Sequence, residues 1–501
     1  MDFVGPGILS VLIFLPLIAA VIILTSIKSD NLVKYFALII ASLELILSLY
    51  IFASFDRDSS EKFQFIDSIY NWISVKSFNV QYLVGIDGLS LPLILLCTIL
   101  IFVAVLASWS LKIRVREYFT WLLVLQSAVF GVFCSLDLIM FFLFWELELI
   151  PMFFLISIWG TGRKEYSAMK FLLYTLFGSA FLLIGILAIY FSTETFDMTL
   201  LPTIMKSSVL ILPATLIFFM FLIGFAVKLP IFPFHTWLPD AHTDAPTAVS
   251  VILAGVLLKM GGYGILRIII TLFNEPSIIF AYIFALLGVV NIIYGALITL
   301  RQKDLKRLIA YSSISHMGYV LLGFSAIAST NLDYVLLGLT GASMQMFTHG
   351  TITGLLFLSV GIMYDKTHTR YIPDLGGLSK KLPMLTIAIV IAGLASLGLP
   401  STSGFISELL IFFSAFNVFP IYTIIGVTGI VLTAGYILWM LQRTFFGKLN
   451  ERYESLSDVD TLQSLSIYLL VFLILFVGIY PSILTSIFET GIINILQISS
   501  S

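Results

Sequence analysis

Apolar runs of about 20 residues follow one another from Ile8 almost to the C-terminus, mostly separated by short polar loops. A run of that length crosses a bilayer as a helix, and a chain made of many such runs has little else to become. Of the 501 residues, 59% are hydrophobic and 11% are charged, whereas soluble domains carry about 25% charged residues. A water-soluble globule of this length could not cover itself. The expected fold class is an all-α polytopic membrane protein. Hydropathy places about fourteen spans, centred near residues 16, 43, 100, 126, 147, 179, 218, 257, 288, 317, 348, 391, 432 and 475. The net charge of −2 and the scattered Lys and Arg residues argue against nucleic-acid binding. Cys97 and Cys134 lie in apolar runs without CxxC or Cys/His spacing, which argues against a disulfide framework, a zinc site or an iron–sulfur cluster held by this chain.

The first apolar run lacks a basic leader and is long enough to remain as a span. The only long polar interval early in the chain, Asp56 to Gly88, carries Trp72 and Tyr82 and is expected to lie along the membrane surface. Loop charge gives an orientation. Of the 26 Lys and Arg residues, Arg57, Lys62, Lys76, Lys206 and Arg267 follow even-numbered spans, and Lys170, Lys228 and Lys259 fall within spans. The other 18 follow odd-numbered spans. Positive loops stay cytoplasmic, so an even span count puts both termini on the non-cytoplasmic side.

Charges inside spans cost about 2.5–3.5 kcal/mol each on insertion scales, and those that persist usually face protein or water. Here they are Glu44, Glu146, Glu148, Lys170, Lys228, Lys259 and Glu408, with His316 and His349. Acids, ammonium groups and imidazoles together make the chemistry of a proton relay, because burial can bring Lys and Glu within reach of proton exchange near neutral pH. Lys170 lies near a span end and can snorkel toward Arg163 and Lys164. Glu44 is alone in its span, where one hydrogen-bonded carboxyl or a subunit contact would explain it. Glu146 and Glu148 are about 200° apart round a helix, so both cannot face one site. Lys228 and Lys259 sit deepest. Neither His316 nor His349 has a second ligand at i+3 or i+4, so no metal is expected.

Two apolar runs are broken. Phe225–Pro233 brings Pro230 and Pro233 into a span directly after Lys228, and Leu397–Phe405 brings in Pro400 ahead of Glu408. Proline removes a backbone donor, and such a break survives in a bilayer only where it lines protein or a wet cavity. Leu229-Pro230 and Leu399-Pro400 are 170 residues apart, and the same shift carries Glu146 onto His316. That offset spans five helices, an odd number, so the two copies have opposite orientations. Paired discontinuous helices in inverted halves point to an ion site. The expected relay is Glu146, Lys228, Lys259, His316 and Glu408. With no GxGxxG after a strand, no phosphate loop and no cysteine cluster, the chain offers no evident nucleotide, flavin or iron–sulfur site.

Several strings together are similar to the antiporter-like M-type (chain 4) subunits of respiratory complex I and its NAD(P)H–plastoquinone relatives. They are Val84–Ser90 (VGIDGLS), Trp145–Pro151 (WELELIP), Phe225–Pro230 (FAVKLP) leading into His235–His242 (HTWLPDAH), Leu257–Gly264 (LLKMGGYG), Ala310–Gly318 (AYSSISHMG) and Ser403–Glu408 (SGFISE). The resemblance covers nearly the whole chain. It implies fourteen helices with two inverted five-helix repeats, divided as 1–115 (helices 1–3), 116–272 (first repeat), 273–447 (second repeat) and 448–501 (last helix). It also implies that Glu146 pairs with Lys228, that Lys259 joins a central hydrophilic axis containing His316, and that Glu408 serves the second half-channel. Glu rather than Lys at that last position favours the M-type over its L- and N-type sisters. His349, His235, Lys170 and Glu148 are further relay candidates. At about 4 Å and an effective dielectric of about 20, a Glu–Lys pair is worth roughly 4 kcal/mol, enough to switch a lysine between holding and releasing a proton.

The function so implied is proton translocation in a redox-driven NAD(P)H– or ferredoxin–quinone oxidoreductase. The flavin and iron–sulfur clusters would lie on partner subunits, and quinone would act at the level of the complex. The expected partners are L-, N- and K-type membrane-arm subunits, a peripheral redox arm and the lipid bilayer, in a bacterial or archaeal cytoplasmic membrane or a thylakoid. The alternatives are a multi-subunit cation/proton antiporter or a membrane-bound hydrogenase-type complex.

Overall fold

The structure, a computed structural model, describes residues 7–75 and 78–500. Lys76, one of the basic residues used for orientation, lies outside the described residues. The helices run in chain order: α1 Ile8–Thr25, α2 Asp30–Ser54, α3 Ser90–Ala107, α4 Val115–Cys134, α5 Leu138–Leu147, α6 Leu149–Trp159, α7 Lys164–Thr193, α8 Ala214–Lys228 and α9 Trp237–Asp244. They continue as α10 Thr247–Ile270, α11 Ala281–Thr299, α12 Leu305–Phe324, α13 Leu332–Thr367, α14 Pro383–Ser396, α15 Ser403–Val418, α16 Pro420–Thr444, α17 Thr461–Ile479 and α18 Ser482–Ser500. Each of the fourteen expected centres falls inside a helix. By length and composition, 11 helices among the described residues can cross a membrane, and α8, α14 and α15 are shorter apolar helices. The protein is an integral membrane protein.

Burial separates a core from a periphery. The apolar windows of α10 and α13 are wholly buried, whereas α1, α2, α16 and α17 bury only 33–39% of theirs and turn the rest outward. The two buried helices carry Lys259 and His349. α10 is not a plain α-helix: π-helical turns at Leu253–Leu257 and Ile265–Ile270 flank the Lys259 stretch. Such turns are often found at functional sites. Gly261 lets α10 cross the end of α8, since a Cβ there would lie 2.7 Å from the Leu229 nitrogen.

Both expected breaks are present. α8 stops at Lys228 and the chain resumes as α9, while α14 stops at Ser396 and resumes as α15, with Gly398 at φ +77° between them. A slighter, one-residue interruption falls at Glu148 between α5 and α6, where the backbone keeps helical angles (φ −68°, ψ −22°) and the two helices form one span. Pro151 explains it: the ring lacks the N–H that would bond the Leu147 carbonyl and crowds that carbonyl as well.

The interval Asp56–Gly88 departs from the all-α expectation: it forms an antiparallel hairpin, β1 Gln64–Val75 and β2 Phe78–Ile86, with register shifts between Gln64 and Asp67 and between Ile69 and Ile73. Ile66, Ile69, Ile73, Tyr82 and Val84 favour a pleated, half-buried ribbon. Three carboxylates pin it. Asp67 accepts from the Ser10 N–H at 2.8 Å at the start of α1. Asp87 caps α3 and accepts from Arg267 of α10 at 2.5 Å. Asp137, which caps α5, accepts from the Gln81 N–H at 3.3 Å. Cys97 and Cys134 are free and buried.

Candidate functional site

At the end of α8, Lys228 forms an ion pair with Glu148, and both side chains are at most 2% exposed. The Lys228 ammonium also sits 4.0 Å from the centroid of the Trp145 ring, a cation–π contact in a dry environment. The break beyond it is closed by side chains. Trp237 Nε1 donates to the Val227 carbonyl at 2.9 Å. Asn291 of α11 donates through Nδ2 to the Pro230 carbonyl at 3.1 Å and accepts the Phe232 N–H on Oδ1 at 2.9 Å. These bonds pair backbone groups that a continuous helix would have used internally, as the membrane interior requires. His235 lies within the break, with Nε2 3.3 Å from the Tyr294 hydroxyl.

The centre of the molecule holds Lys259. Its ammonium donates to the Ala254 carbonyl, and Nζ lies 2.8 Å from His349 Nδ1, so two nitrogens share one proton position. The His349 ring is 5.6 Å, centroid to centroid, from His316. His316 places Nδ1 2.7 Å from the Ser312 carbonyl and Nε2 2.9 Å from the Ser396 carbonyl. Carbonyls only accept, so both bonds form only when both ring nitrogens carry hydrogen. Ser396 ends α14, which puts His316 at the second break. Glu408 packs there as well: a Cβ on Gly398 would lie 2.6 Å from its carboxylate. The left-handed φ and this close approach both require glycine at 398.

The structure corrects one pairing. The carboxylate on Lys228 is Glu148, not Glu146. Glu146 is half-buried, two positions earlier at the end of α5, with Oε1 buried and unpartnered among the described residues. The interruption at Glu148 and the depth of α5 in the bundle decide which acid turns inward. Lys259, His316 and His349 form one connected group, and Glu408 shares the second break with His316. Lys170 is not joined to that group. It lies on the Arg163 side near Tyr166, as its position suggests, and forms an ion pair with Asp240 at 2.7 Å. Glu44 is fully buried in α2, with both carboxyl oxygens unpartnered among the described residues. No cluster of three metal-ligating side chains occurs among the described residues.

Two residues escaped sequence reasoning. Asn291 carries no charge and gives no hydropathy signal. His242 of α9 is fully buried, stacked on Phe357 at 4.7 Å, within electrostatic reach of Lys259 and Lys306. Lys306 donates to the Ala245 carbonyl at 2.7 Å and lines a cavity of about 190 Å³ with Asp365 and Arg370. A charged aperture on one face thus lies next to the buried line of imidazoles.

The family model described as NADH:quinone oxidoreductase/Mrp antiporter, TM, matches residues 135–433. The chain is 41% identical over 491 residues to F(420)H(2) dehydrogenase subunit M of Methanosarcina mazei, covering 94% of each. It is 39% identical over 497 residues to NADH-quinone oxidoreductase subunit M of Rickettsia felis, covering 98% of each. Among solved structures, a chain of respiratory complex I from Thermus thermophilus superposes with a TM-score of 0.85 at 25% identity, covering 97% of this chain and 99% of that one.

Proposed function

The chain belongs to the NADH:quinone oxidoreductase/Mrp antiporter transmembrane family, and on that premise we propose that it is the proton-translocating M-type membrane subunit of a redox-driven quinone oxidoreductase. The observation that carries this reading is the line of buried ionisable groups running between two broken helices: Glu148–Lys228, then Lys259–His349, His316 and Glu408. A scaffold would gain nothing from burying these groups.

In this reading a proton enters at the Lys306–Asp365–Arg370 aperture, passes His242 and reaches the Lys259–His349 pair. It continues through His316 to Glu408 and leaves on the opposite face. The Glu148–Lys228 pair is the switch: moving the carboxylate away from Lys228 removes roughly 4 kcal/mol of attraction at an effective dielectric of about 20, and the rest of the line responds. Glu146, outside that pair, is the acid turned toward the next subunit of the membrane arm. Electron transfer belongs to partner subunits, where flavin, iron–sulfur clusters and quinone act, and L-, N- and K-type subunits adjoin this one. The two relatives are named for different electron donors, so the donor is set by the redox arm and not by the M-type chain. The loop charges put both termini on the non-cytoplasmic side.

The test uses the intact complex in liposomes, with Lys228→Ala and Lys259→Ala variants, reading electron transfer and proton uptake together. Donor-driven uptake that both variants lower, with the subunit complement unchanged, is expected. Normal pumping in either variant refutes the relay. Proton movement that needs a sodium gradient and no electron donor replaces this reading with a gradient-driven antiporter.

A further inference from the structure

The polar side chain that closes the first break comes from the other half of the chain, and its site calls for a donor and an acceptor together. Asn291 is fully buried on α11. Its amide meets two backbone groups of opposite sense, a carbonyl (Pro230, 3.1 Å) and an N–H (Phe232, 2.9 Å). Both lie within four residues of Lys228. One amide supplies one donor and one acceptor; Leu supplies neither, and ionised Asp supplies only the acceptor. One turn further along the same helix, Tyr294 reaches His235.

The next position on α11 contacts a different helix. Ser315 donates to the Ile292 carbonyl at 2.8 Å, directly before His316 in the chain. A single helix therefore ties the broken backbone below Lys228 to the helix that carries His316.

We propose that Asn291 is a positioning residue for proton transfer: it holds the broken end of α8 so that Lys228 faces Glu148, and through α11 it fixes that end relative to His316. This rests on the relay reading above. Without the amide, a buried carbonyl and a partly buried N–H lose their partners, the first of them a costly loss, and the end of α8 leaves the paired geometry.

The test uses the whole complex in liposomes with Asn291→Leu and the isosteric Asn291→Asp, and Lys228→Ala as reference. Protons moved per electron are measured from pH 5.5 to pH 8.5. Asn291→Leu should lower pumping about tenfold at every pH, with electron transfer retained. Asn291→Asp should acquire a new pH dependence. A protonated Asp carboxyl reproduces both bonds, donating through its hydroxyl and accepting on its carbonyl oxygen, so pumping approaches wild type in acid and falls as the carboxyl ionises.

A residue that merely fills space would not create that profile. Wild-type pumping in an assembled Asn291→Leu complex overturns the proposal, as does a wild-type pH profile in Asn291→Asp. If Asn291→Leu fails to assemble, the Asn291→Asp profile decides alone. If Lys228→Ala also pumps normally, the relay reading has failed; if Lys228→Ala is uncoupled while both Asn291 variants behave as wild type, only the positioning role has failed.

Discussion

The assignment of Glu148 as the partner of Lys228 is the sharpest claim the structure makes, and Glu148→Gln tests it. Both side chains are at most 2% exposed, so removing one charge leaves the other buried and unpaired. That costs about 3–5 kcal/mol. The Trp145 face is present before and after, so its cation–π attraction does not offset the loss. The glutamine amide recovers about 1 kcal/mol as a neutral acceptor. About 2–4 kcal/mol remains, which disfavours the geometry with Lys228 facing position 148 at least ~30-fold. In liposomes containing the intact complex, protons moved per electron should fall while electron transfer and subunit composition hold. Glu146→Gln, altering a half-buried carboxyl outside the pair, should lose less. Wild-type pumping in Glu148→Gln together with loss in Glu146→Gln would return the pairing to the residue that family resemblance implied.

Two further outcomes follow from groups away from the relay. Arg267→Met breaks the buried Arg267–Asp87 pair that joins α10 to the start of α3, and it should destabilise the subunit by about 3–5 kcal/mol, read as a lower thermal midpoint in detergent; adding Asp87→Asn should restore part of the loss, because no charge is then left unpaired. Asp137, just outside the α5 span, has its carboxyl pushed up to about 6 from 3.8, chiefly by burial. Its folded form thus favours the protonated acid: the stability it contributes is full below about pH 3.8 and is lost as pH rises through about 6, a difference of about 2–3 kcal/mol. Asp137→Asn should therefore raise the midpoint at pH 8 and leave it unchanged at pH 4, and an equal shift at both would refute the argument.

What could be read from the sequence depended on whether a residue breaks a local rule by itself. Lys228, Lys259 and Glu408 violate the composition of a span, and Pro230 and Pro400 violate helix continuity, so each announces itself one position at a time. The choice between Glu146 and Glu148 cannot be made that way. Helical periodicity says only that the two acids diverge; which one turns inward depends on where α5 lies in the bundle and on the interruption that Pro151 imposes. Asn291 was silent for another reason. An asparagine in an apolar helix is ordinary, and its role exists only because a break 60 residues earlier is folded against it. The hairpin was more accessible, since Ile66, Ile69, Ile73, Tyr82 and Val84 carry a strand composition, but its polar neighbours and isolated place among helices masked it. His242 had a signal only in the company it keeps: a histidine beside Asp240 and Asp244 reads as a loop residue until the fold buries it.

The contact between Lys228 and Trp145 has an optical consequence. Indole emission responds to a charge held over its ring, and here the ammonium stands 4.0 Å from the ring centroid. The sequence contains seven tryptophans. With the other six replaced, the emission maximum of Trp145 would become a colour scale for the charge beside it, following the subunit through turnover without a label.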